Sequence, residues 1–250
     1  VDGSDANSAT ITLGYTRAIV QSFAVQTQSQ GRRIELPVEV RSRVWYNEEL
    51  TSRNMIVPGL VAVIMMVIAA MLTSLTIARE WERGTMEQLA ATPVTRGEVV
   101  LGKMLPYLVI GLIDVALISG IGVAVFEVPF HGSLPLLLTL STAFLIGALG
   151  IGIFISAIAR SQLLATQIAM IVTFLPTFLL SGFMFAVEVM PPVLQGITYL
   201  IPARYFLVVT RGIFLKGIGI DVLYIQGMLM ILFACLGLFA ATRVFKKEIL

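Results

Sequence analysis

Charge is scarce in this chain. Of its 250 residues, 13% are Asp, Glu, Lys or Arg while 57% are hydrophobic, and the mean hydropathy is +0.92. A soluble domain carries roughly 25% charged residues, so a water-facing surface cannot be assembled from this supply. Disorder is excluded as well, because it needs low hydrophobicity and high net charge. Cysteine occurs once, at Cys235, which rules out an internal disulfide or a Cys-based zinc cluster. The single histidine, His131, sits beside Pro129 and Gly132 in a short loop with no second imidazole to share a metal. HExxH is absent, and no Ser-His-Asp set can be assembled. A net charge of +2 leaves no nucleic-acid footprint. An initiator Met and a charged-then-apolar signal are also missing before Val1, so a fragment or processed product is expected. What remains is an integral membrane protein.

A membrane helix needs about 20 apolar residues to cross a ~30 Å hydrocarbon core. Five stretches qualify: 55–78, 104–126, 134–159, 161–187 and 222–242. Between the last two, residues 188–221 are apolar but broken by Pro191, Pro192, Pro202, Arg204, Arg211 and Lys216. That segment reads as short helices lying at, or dipping into, the interface. The fold class is therefore an all-α polytopic membrane protein with five visible spans. Residues 1–54 differ in kind. Ser4 or Asp5 is placed to cap a helix to about Thr27, with Ile11, Tyr15, Ile19 and Phe23 on one face. Leu36, Val38, Val40, Val44 and Tyr46 then alternate with polar residues as in a half-buried strand. This part reads as the α+β tail of a larger extracytoplasmic domain, and 55–250 as the transmembrane domain.

With the amino end outside, the inner loops carry Arg79, Arg83, Arg96, Lys103, Arg160, Arg243, Lys246 and Lys247, and the outer loops only Arg204, Arg211 and Lys216. The bias favours amino-out, carboxyl-in. Six arginines within residues 1–54 are set aside, because folded domains translocate largely regardless of charge.

Gly97 to Lys103 approaches the phosphate-cradling GxxxxGK[ST] pattern, but Met104 has no hydroxyl for magnesium and the segment leads into a span instead of following a strand. Gly102 and Lys103 are better read as the point where the second span leaves the headgroups. The densest polar cluster, Arg79 to Leu89 and on to Pro93, joins the first two spans. Thr85 is placed to cap a short helix with Glu87 and Gln88 in its first turn, stopped by Pro93. A solvated connector and a rigid element for a soluble partner to push are both open readings. Within the membrane, Asp114 costs about 2.5–3.5 kcal/mol at mid-span, and proton handling stands beside a purely structural role. Ala148, Gly152 and Ser156, with Gly147 and Gly150, mark close helix packing. Pro176 predicts a kink, and Phe174, Phe178, Phe183 and Phe185 are candidates for an apolar path.

The run from Glu82 through Thr92-Pro93 to Gly102-Lys103 resembles the coupling helix of ABC transporter permeases of the type-2 exporter class, in its multidrug-efflux-like branch. Leu180 to Phe185, Met190-Pro191-Pro192, Pro202, Tyr205-Phe206 and Arg211 to Gly217 resemble the external hairpin before that family's last span. Trp45-Tyr46-Asn47 with Val57-Pro58-Gly59 is similar to its entry into the second span. Glu48 and Ala186 depart from a frequent proline, and Ile201 from a frequent polar residue. The resemblance covers essentially the whole chain. It implies a six-span permease, here without its first span and most of its extracytoplasmic domain, in the inner membrane of a bacterium. It also implies a second permease subunit, identical or related, and cytoplasmic ATPase subunits that hold the ATP and Mg; no cofactor is expected on this chain. Some members use a periplasmic adaptor.

The resemblance places ATPase coupling at about 79–98, on Glu82, Arg83, Gly84, Thr85, Glu87 and Leu89. It places the external hairpin on Gly182, Pro191, Pro202, Tyr205 and Arg211. A translocation path is assigned to Asp114, Phe174 and Phe178. The function expected is the permease of an ATP-driven exporter of drug-like or lipid-like amphipathic compounds, not itself an enzyme. The alternatives are a proton-coupled secondary transporter using Asp114, against which internal repeats and discontinuous spans are lacking, and a membrane assembly factor, which needs no stiff connector.

Overall fold

The computed structural model describes residues 1–3, 6–29, 44–47 and 49–245. They form two compact units, Val1–Ile56 and Val57–Leu250. In the first, α1 spans Ala6–Ser29. The row Ile11, Tyr15, Ile19 and Phe23 is exposed, whereas Ala6, Ala9 and Leu13 are buried. The expected caps Ser4 and Asp5, and most of the strand expected near 36–46, lie outside the described residues. What is described there is one isolated parallel bridge between Asp2 and Trp45, and no strand. The α+β expectation is corrected accordingly: the described part is helical. Buried Asn47 binds the chain on both sides of Thr51, its Oδ1 accepting from Thr51 N at 3.1 Å and from Asn54 Nδ2 at 3.0 Å while its Nδ2 donates to Thr51 O.

Among the described residues, five helical segments are long and apolar enough to cross a membrane. They are α2 (Ser52–Arg83), α4 (Arg96–Ala124), α5 (Leu134–Ala159), the Gln162–Leu180 segment and α10 (Ile220–Val244). The segment Gln162–Leu180 consists of α6 (Gln162–Ala169), a π turn (Met170–Phe174) and α7 (Leu175–Leu180). Pro176 has no N–H, and its ring crowds the carbonyl four residues back; the wide turn just before it relieves that crowding. The span ends at Leu180, short of the expected Val187, because Gly182 turns at φ +88. At 1.5 Å per residue, the 32 residues of α2 measure about 48 Å, well beyond a ~30 Å core. The charged end Arg79–Arg83 is thus a helical extension of α2, not loop.

The core is arranged around α5, which touches α4, α6, α9 (Pro202–Arg211) and α10. Against α10 it packs in parallel. Gly150 lies so close that a Cβ there would fall 2.5 Å from the Gly237 carbonyl carbon. Against α2 the contact is polar as well: Thr73 Oγ1 donates to Leu149 O at 3.0 Å, and Ser156 Oγ accepts from Ile77 N and Ala78 N. Phe206 of α9 stacks on Phe144 of α5 with centroids 4.2 Å apart.

The two ends of this bundle are built differently. At one end, α8 (Pro192–Thr198) and the Pro202–Lys216 helix are bent by 79° into a hairpin. Its deep part, with Phe206, Ile213 and Phe214, is fully buried. The α4–α5 loop docks there: His131 N donates to Phe214 O at 3.1 Å, and Phe130 meets the Phe214 ring edge-on. At the other end, the α2–α4 connector meets the α5–α6 turn.

Candidate functional site: the α2–α4 connector

The connector begins with a helix stop. Gly84 has φ +70, Gly84 N donates to Trp81 O, and Thr85 N donates to Glu80 O at 3.1 Å. These two bonds form a Schellman motif, which needs a left-handed residue at the glycine position. Thr85 does not cap the next helix. Its backbone is helical (φ −82, ψ −5), no side-chain cap bond forms, and its Oγ1 turns back to Glu80 O. An N-cap residue typically has an extended backbone, which Thr85 lacks. The short helix α3 (Met86–Ala90) is held by Met86, which is buried in the core; Glu87 and Gln88 are exposed. Leu89 is half-buried against this same core, and Arg83 is exposed.

The cap that does exist was missed. Thr95 Oγ1 accepts from Glu98 N, and Glu98 Oε2 accepts from Thr95 N at 2.7 Å, a complete capping box that starts α4. Its signal, Thr-x-x-Glu before an apolar run, stands in the sequence at 95–98. The Thr95 backbone N–H, and then the Thr95 hydroxyl, hold the Glu98 carboxyl below the ordinary carboxylate range. The Gly97–Lys103 segment is therefore the opening of a helix, not a phosphate loop.

Polar and cation–π contacts fasten the connector to other spans. Lys103 of α4 pairs with Glu80 at 2.5 Å. The Arg160 guanidinium lies 4.7 Å from the centroid of the Trp81 ring. Glu82 is engaged within the chain: Gln162 N donates to its Oε1 at 2.8 Å, and Gln162 Nε2 donates to its Oε2. The Gln162 side chain, and then its backbone N–H, lower the Glu82 carboxyl below its usual value. Glu82 thus has a structural task, which leaves Glu87 as the exposed acid of α3.

The residues proposed for a path stand on different walls. Asp114 is half-buried on α4, at the edge of its packed face, and makes no hydrogen bond or ion pair among the described residues. Phe174 and Phe178 stack at 5.4 Å on the α6–α7 span, continuing to Phe183 at 5.7 Å. A wholly apolar crevice of about 420 Å³ separates α5, α6 and α10. A second of about 560 Å³ lies between α7 and the hairpin, lined by Pro176, Phe185 and Pro191 among others. In the hairpin, buried Gly182 makes the turn and Pro191 leads into α8. Pro202 opens α9 and half-buried Arg211 ends it. Tyr205 Oη donates to Tyr199 O at 2.8 Å and Arg204 stacks on Tyr199, closing the corner.

The family model for the ABC-2 family transporter proteins matches residues 1–242. The chain belongs to this ABC-2 family. It is 42% identical over 232 residues to the probable multidrug ABC transporter permease YbhS of Escherichia coli strain K12, covering 92% of this chain and 61% of that protein. It is 34% identical over 224 residues to the probable multidrug ABC transporter permease YbhR of the same strain, covering 90% and 60%. A more distant relative, ABC transporter G family member 20 of Dictyostelium discoideum, is 28% identical over 219 residues, covering 86% and 30%. The chain therefore spans about three fifths of the length of the two bacterial permeases it matches. It is the multi-pass permease domain of an ABC-2 protein.

Proposed function

We propose that this ABC-2 domain is the membrane part of an ATP-driven exporter, pushed through its connector by a separate cytoplasmic ATPase that holds the ATP and Mg. One observation carries the reading: α3 is a short helix seated by buried Met86, directly after a helical extension of α2 that is fastened to α4 through Glu80–Lys103 and to α6 through Glu82–Gln162. A displacement of such an element is passed on, whereas a floppy loop would absorb it. Glu87 and Gln88 are the face offered to the ATPase. The charge bias supports a cytoplasmic connector, with residues 1–54 and the hairpin outside, and the bacterial relatives support an inner-membrane setting. In this reading a second permease subunit completes the pathway, and a periplasmic adaptor extends it. The apolar crevices and the multidrug names of the two bacterial relatives support amphipathic, drug-like or lipid-like substrates.

The test is transport of an amphipathic dye by the full permease, reconstituted with its candidate ABC ATPase. Uptake into inverted vesicles is expected to need ATP and to stop when the ATPase is left out. Dye movement driven by a proton gradient alone would instead support a secondary transporter using Asp114.

A further inference from the structure

Gln162 belongs to no motif, yet every polar group it offers to α2 is used. Its backbone N–H and Nε2 donate to the two oxygens of Glu82, and its Oε1 accepts from Arg79 Nε at 3.3 Å. Arg79 and Glu82 lie three residues apart on α2 and so share one face. One presents a donor and the other an acceptor, which a primary amide matches in a single side chain.

We propose that Gln162 is the positioning residue through which the connector moves the α6–α7 span. The inference rests on the reading of α3 as the ATPase-docking element. The two helices it joins are unequal. α2 is anchored: 56% of its apolar window is buried, and Thr73 and Ser156 tie it to α5. The Gln162–Leu180 span is only 22% buried, with Ala165 and Ala169 the buried residues of α6. Just beyond α6 comes the π turn, where an extra residue per turn gives the backbone a second register to move into. The Phe174–Phe178 stack begins at the end of that turn. A push on α3 therefore reaches a loosely packed span at its first residue, and the wide turn is its hinge. The lowered Glu82 carboxyl agrees, because Gln162 donates to the charged form.

The test uses the full permease with its ATPase. Gln162→Ala removes both side-chain links and is expected to speed amide hydrogen exchange at residues 163–165 in the permease alone. ATPase co-purification should be unchanged, while substrate moved per ATP hydrolysed falls about tenfold, equivalent to about 1.4 kcal/mol. Glu82→Lys should lower the same ratio, and adding Gln162→Glu should restore it by reversing the pair. Wild-type exchange, a wild-type transport ratio, loss of ATPase binding in Gln162→Ala, or absence of rescue would each overturn the proposal. Failure of the docking reading looks different: Glu87→Arg would then bind the ATPase and transport normally, while Gln162→Ala still loosened α6.

Discussion

The Thr73 hydroxyl fills the space where a side chain on Gly152 would begin: a Cβ at Gly152 would fall 2.0 Å from Thr73 Oγ1 and 2.4 Å from the Ala70 carbonyl oxygen. The second neighbour is backbone, so rotating the threonine cannot relieve the collision. Gly152→Ala must separate α2 from α5 at the point where Thr73 and Ser156 bind across, and such overpacking costs about 1–3 kcal/mol. Thermal unfolding in nanodiscs should show the loss, with Thr73→Ala giving only partial rescue. A Gly152→Ala protein as stable as wild type would show that this contact tolerates a methyl group.

Gly84 presents the opposite situation. Nothing lies within 4 Å of the point where a Cβ on it would stand, so space is free, and only φ +70 demands glycine. A left-handed residue with a Cβ costs roughly 1–2 kcal/mol. Gly84→Ala should therefore leave the spans folded but raise protease cleavage between residues 84 and 95, while Gly84→Asn, which tolerates this conformation, should resist like wild type.

Acid should release the connector. Glu82 titrates below the ordinary value of 4.5 because Gln162 binds its charged form, and Glu98 does so because of Thr95. Their contribution to stability is fully present above the unfolded value and is lost as pH falls through the lower, folded one. In a Trp45→Phe background the emission of Trp81, which packs against Arg160, should shift to the red below pH 4.5, and Glu82→Gln should abolish the shift. A transition centred near neutrality would point to another group.

Hydropathy read the third long helix to the residue, 134–159, because its apolar run is bounded by Ser133 and Arg160. It stopped short of the charged end of α2, since charge ends a hydropathic run but not the i to i−4 hydrogen bonds of a helix. It also overran the Gln162–Leu180 span, where apolar residues continue through Phe183 past the turn at Gly182. The turn at Gly84 was legible, as glycine after a charged helix end. The capping box at Thr95–Glu98 was legible too, but Thr85 competes with it as a threonine ahead of an acidic turn. Gln162 was not legible: an uncharged residue whose partners lie about eighty positions away leaves no local trace.

Sidedness can be read chemically at exposed sites. Single cysteines in a Cys235→Ala background at Ser133 and Val193, by the loop and hairpin of one end, should react with an impermeant thiol reagent outside intact cells. Cysteines at Gln88 and Ala91, in the connector, should react only after the membrane is opened. The reverse pattern would place the connector outside and remove the ATPase from contention.

Asp114 sets the last test. A carboxylate at mid-span costs about 2.5–3.5 kcal/mol, and this one draws no hydrogen bond or ion pair from the described residues to offset that cost. On the proposed assembly its partner is water or a second permease subunit, and either can be met by a neutral amide. If hydrolysis supplies the work, no proton has to pass through this side chain. Asp114→Asn should keep ATP-driven transport near the wild-type rate with an unaltered pH profile, whereas Asp114→Leu, which cannot hydrogen-bond, should weaken assembly with the second subunit on size-exclusion chromatography. Loss of transport in Asp114→Asn, with ATP hydrolysis continuing uncoupled, would instead make Asp114 a proton carrier and favour the secondary-transport mechanism.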